Sequence, residues 1–169
     1  MSTELLDLWP TDLDLDAPSP LMILNIQAEA LTRRTKGVIR GEVTLNSEVP
    51  TGGEASVEQL NFDLVAPAVG FRQRLLFVRY GKETLYPVAV MSDAFENQAP
   101  TTITPTTSDR TRAHFAASPQ EVKELLKLVF NAPTTKATLS SLIARSNEVR
   151  AKSQAKAVSA NGNEASSEG

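Results

Sequence analysis

The sequence predicts an α+β fold: an N-terminal helix, a four-stranded antiparallel meander sheet, a long Thr/Pro-rich loop and a C-terminal helical hairpin. Three observations carry it. Helix-start signals stand at Ser19-Pro20 and at Ser118-Pro119-Gln120-Glu121. Between them lie four apolar runs with strand-like spacing, two of them joined by the hairpin-length link Gly81-Lys82-Glu83. A chain of 169 residues, 41% hydrophobic but only 5% aromatic, favours one aliphatic core. The organisation expected is an acidic arm over 1–17, a single domain over 18–150 and a disordered tail over 151–169.

The first helix is placed at 20–36. Ser19 suits the N-cap, Pro20 the first helical position and Gly37 the stop. Its apolar residues form two stripes, Leu21, Leu24, Ala28 and Leu31 on one side and Met22, Ile23, Ile26 and Ala30 on the other. A helix apolar on two sides is buried between layers or lies at an interface.

In the first strand, Ile39, Gly41, Val43 and Leu45 alternate with Arg40, Glu42 and Thr44. In the second, Leu60, Phe62 and Leu64 alternate with Asn61 and Asp63. The third (Phe71 to Tyr80) and fourth (Leu85 to Met91) are continuously apolar in their middles, the pattern of strands covered on both faces. Pro87 lacks an amide donor, so it is expected at an edge, a bulge or a strand start.

From 93 to 117 periodicity vanishes into the Thr/Pro-rich connection. Order returns at the Ser118–Glu121 capping box. Val122, Leu125, Leu126, Val129 and Phe130 then share one helical face. Pro133 interrupts, and a last helix restarts near Thr134 with Leu139, Leu142 and Ile143 on one side. From about 151 onward Ala, Ser, Asn, Gly and Glu dominate, with one aliphatic residue, Val158.

Reactive side chains are scarce. There is no cysteine and a single histidine, His114, so disulfides and thiolate zinc sites drop out and a reducing, cytoplasmic setting is expected. No basic leader or bilayer-length apolar run is present, so no membrane association is expected. Asp12-x-Asp14-x-Asp16 opens like a calcium loop, but Ala17 stands where the turn needs glycine and Ile23 where the cage needs glutamate. No metal or cofactor is therefore expected. Neither a nucleophile elbow nor a Gly-rich phosphate cradle occurs.

Charge is unevenly spread. Residues 1–32 carry six acids and no Lys or Arg, whereas 33–82 carry eight bases against five acids. Arg72 and Arg74, two apart on one strand, project from one face and form a candidate anion site with Arg112 and His114. That face would hold phosphate or the acidic arm; with few aromatics beside it, nucleic acid is a weak expectation.

The arm is the stronger functional signal. Leu5-Leu6-Asp7-Leu8-Trp9-Pro10 sets large apolar groups among acids around the sole tryptophan, the composition of a segment that docks in apolar grooves. The expectation is a non-catalytic intracellular protein-binding module, an adaptor, immunity-type or chaperone-like factor. Its contacts would be Leu5, Leu8, Trp9, Met22, Ile23 and Ile26, and its partner another protein or a second copy. The alternatives are a small enzyme acting on an anionic substrate through the Arg/His set, or a nucleic-acid binder using the Arg-bearing sheet face.

Overall fold

The computed structural model describes residues 17–48, 57–95 and 113–161. Helix α1 (Pro20–Arg34) is followed by strands β1 (Arg40–Glu48), β2 (Val57–Ala66), β3 (Phe71–Gly81), β4 (Val88–Met91) and β5 (Ala113–Ala116), then helices α2 (Pro119–Asn131) and α3 (Pro133–Asn161). The strands form one antiparallel sheet in the order β1-β2-β3-β4-β5, each pairing with its neighbours in sequence. The α+β class and the meander stand as expected, with a fifth strand added.

Alternation sorts the sheet into two faces. Leu60, Phe62, Leu64 and Ala66 of β2, Leu76 and Val78 of β3, and Val88 and Val90 of β4 are buried on one face. They join Ile23, Leu24 and Ala28 of α1, Val122, Leu126 and Val129 of α2 and Leu142 of α3 in a single core cluster. Burial of this aliphatic surface is the main favourable term in folding. Phe62 also meets Phe130 of α2 at 5.6 Å between ring centroids.

Among the described residues, no helix lies on the second face. Among the described elements, helices thus cover the central strands on one face, where their apolar runs predicted cover on both. The reason lies partly in a bulge. Register shifts between Phe62, opposite Leu76, and Asp63, opposite Arg74, leaving Leu75 as the extra residue. Phe77 meanwhile points to the open face, where Arg79 lies over its ring at 5.3 Å.

Local signals place the helices. The Ser19 side chain accepts from the Met22 amide at 3.2 Å, and Pro20 opens α1. At the far end Gly37 takes a left-handed φ of 74° and its amide donates to the Thr32 carbonyl at 2.8 Å. The Ser118 hydroxyl accepts from the Glu121 amide at 3.3 Å, while Glu121 accepts from the Ala117 amide at 2.8 Å. The reciprocal carboxylate bond therefore falls one residue before the cap. A single residue, Ala132, separates α2 from α3, and Thr135 ties the junction by donating to the Val129 carbonyl at 2.7 Å.

Three sequence boundaries move. Leu85 is exposed and β4 begins at Val88, directly after Pro87, whose bond to Tyr86 is cis. β5 lies inside the stretch read as patternless. Helix α3 continues through Asn161, so the tail expected from 151 is helical over its first eleven residues. Side chains 151–156 of that extension are exposed, which is why no apolar stripe announced it. No helix among the described residues is long and apolar enough to cross a membrane.

Candidate functional site

The predicted anion site divides across the sheet. Arg72 and Arg74 do share a face, and that face is the open one. Their neighbours there are carboxylates of the same sheet: Arg72 Nη2 lies 2.9 Å from Glu42 Oε2, and Arg72 Nε lies 3.0 Å from Asp63 Oδ2. Arg74 Nε stands 4.0 Å from Asp63 Oδ1. The hydrogen bond that Arg72 donates to Asp63 and the charge of Glu42 hold the Arg72 guanidinium protonated more firmly than usual. An incoming anion would have to displace a carboxylate that is already in place.

His114 lies on the other side. It is opposite Val90, which is opposite Val78, so its ring enters the core face. It is 4% exposed and packs on Phe95 at 4.2 Å between centroids. Arg72 and Arg74 therefore do not converge with His114. Arg112 lies outside the described residues. So do Leu5, Leu8 and Trp9. Among the described residues, no three His, Asp or Glu side chains gather as a metal cluster.

A second polar chain on the open face escaped the sequence reading. Arg79 Nε donates to Gln59 Oε1 at 2.7 Å, and Gln59 Nε2 donates to Asn61 Oδ1 at 2.8 Å. Asn61 is 2% exposed despite its polarity. Only the period-two spacing of Gln59 and Asn61 hinted that the two share a face. The geometry is of mutually satisfied groups, which rigidify a surface and leave few donors for a ligand.

Helix α1 resolves its two stripes unequally. Ile23, expected as a contact residue, is 3% exposed and belongs to the core. It lies about 100° around the helix from Leu24, so the buried arc of α1 is broad enough to take it in. Met22 and Ile26 remain outside, 56% and 50% exposed and one turn apart.

On the flank of α1 facing α2 there is a groove of about 380 Å³. Phe62, Leu75, Phe130 and Leu139 contribute to its lining, with Arg34 and Lys127 also along it. Leu31, Leu75, Phe130 and Leu139 are among the side chains that the core leaves half-covered. The groove combines an apolar bed with two cationic groups, and no sequence pattern announced it because its walls come from distant elements. No family model, curated protein or solved structure matches this chain.

Proposed function

We propose that this protein works by non-covalent protein binding, as an adaptor, immunity-type or chaperone-like factor, and catalyses no reaction. The observation that carries the reading is the Met22–Ile26 pair: two large aliphatic side chains held outward on a helix whose other apolar face packs on the core. Neighbouring exposed aliphatic groups on one rigid element are the usual nucleus of an interface. A two-fold contact sets the same patch of both copies against each other, and an aliphatic pair on one helix is self-complementary in that sense. We therefore assign a second copy of the chain as the partner of this crest. The separation of His114 from Arg72 and Arg74 supports the non-catalytic part of the reading. The cysteine-free composition supports a cytoplasmic setting.

Light scattering at high micromolar concentration tests it. Wild type is expected as a dimer and Ile26→Asp as a monomer, with folding stability changed by no more than about 0.5 kcal/mol because the site is on the surface. A wild-type monomer whose mass Ile26→Asp leaves unchanged overturns the crest as a self-contact.

A further inference from the structure

We infer that the groove between α1 and the α2–α3 junction receives the acidic-apolar segment Glu4–Pro10 of this same chain. Chemical match is the first argument. The groove offers half-covered Leu31, Leu75, Phe130 and Leu139, with Arg34 and Lys127 along it. The segment offers Leu5, Leu6, Leu8 and Trp9 interleaved with Glu4 and Asp7. Apolar side chains would enter the bed while the acids meet the two cations. Arg34 has no acidic partner among the described residues, and Lys127 is held only by Glu124, an exposed pair at 2.9 Å that a competing carboxylate can replace.

Reach is the second argument. The chain enters α1 at Pro20, held there by a hydrogen bond from the Tyr86 hydroxyl to the Pro18 carbonyl at 2.8 Å. Leu31 stands eleven residues along the helix from Pro20, about 16 Å at the α-helical rise. Seven extended residues, from Asp16 back to Trp9, span up to about 23 Å. Trp9 can therefore reach the groove with slack. Joining by a short tether supplies a high effective concentration, so a modest intrinsic affinity suffices. The groove lies beside the Met22–Ile26 crest and not on it, so this inference and the self-association reading fail separately.

Trp9 is the sole tryptophan, so its emission reports the segment in the intact, unlabelled protein. In wild type the emission is expected to be blue-shifted, shielded from acrylamide and independent of protein concentration. Arg34→Glu and Lys127→Glu are each expected to lower the docked-to-free ratio by up to about fivefold, the upper range for an exposed ion pair. Arg79→Glu, on the opposite face of the sheet, is expected to leave Trp9 unchanged. Ala30→Phe fills the groove from α1 without altering charge and is expected to expel Trp9, which keeps the test decisive if a charge reversal impairs folding. Three results overturn the inference. One is a wild-type Trp9 fully open to quencher. Another is shielding removed by Arg79→Glu but not by Arg34→Glu, which would place the segment on the open sheet face. The third is shielding that appears only as concentration rises, which would place it in another copy.

Discussion

Ala28 of α1 stands so close over Gly41 of β1 that a Cβ on the strand residue would fall 2.6 Å from the helix Cα and 2.9 Å from its Cβ. The Gly41 amide also donates to the Thr32 hydroxyl at 3.3 Å, one turn further along the same helix. Backbone thus meets backbone where α1 crosses the sheet. Gly41→Ala forces the two elements apart and is expected to cost about 1–3 kcal/mol, the usual range for overpacking. Urea denaturation measures it, and a change below about 0.5 kcal/mol would mean that α1 slides outward freely.

The α2 cap gives a second expectation. Ser118→Ala strands the Glu121 amide and is expected to lower stability by about 1 kcal/mol. Glu121→Ala releases the Ala117 amide, with an effect of similar size because both bonds are exposed. Since one turn holds both bonds, the double variant is expected to lose less than the sum of the two. Strict additivity in a denaturation cycle would show that the bonds act independently.

Tyr80 makes stability depend on alkaline pH. Burial first, and then the hydrogen bond and charge of Glu58, push its phenol from 10 up to about 12. The native state therefore keeps a proton that the unfolded chain releases, and stability falls as pH rises. The contribution is whole below pH 10 and is lost between about 10 and about 12. Tyr86 is raised as well, by burial. Ultraviolet absorbance of the folded protein is expected to show the Tyr80 phenolate forming only at about 12. Because burial is the larger cause, Glu58→Gln leaves most of the Tyr80 shift in place; its abolition by that change would contradict the assignment.

The open-face arginines respond to their own counter-ions. Millimolar sulfate is expected to leave the wild-type melting temperature nearly unchanged, because Asp63 and Glu42 already occupy the Arg72 guanidinium. Asp63→Asn removes the carboxylate that Arg72 and Arg74 share, leaving Arg74 unpaired among the described residues and Arg72 with Glu42 alone, and sulfate is then expected to raise the melting temperature. Equal sulfate effects on the two proteins would count against this account.

Most of the fold was legible because its elements obey simple periods. The alternation in β1 and β2, the Ser19-Pro20 start and the Ser118 cap are local rules that tertiary packing did not override. β5 was illegible for a definite reason: in Ala113-His114-Phe115-Ala116 the polar His114 faces the core while Phe115 is 45% exposed. That inverts the expected pattern over only four residues. The Leu75 bulge likewise turned one strand's alternation into an apparent apolar run. Site residues were read less well. That Arg72 and Arg74 share a face follows from spacing, but their engagement by Glu42 and Asp63 depends on strand register. The groove depends on α1, β2 and α3 meeting, which one-dimensional spacing does not encode.

The Thr32 hydroxyl on Gly41 has a further consequence at the margin of the sheet. β1, the long outer strand, has an outward-facing amide already engaged by the helix above it, and β5, the other border, is only four residues long. At Gly41 a stranger's backbone therefore finds the outer donor already taken. A second strand pairing along β1 would have to break that bond first, so the helix crossing guards the start of the outer strand.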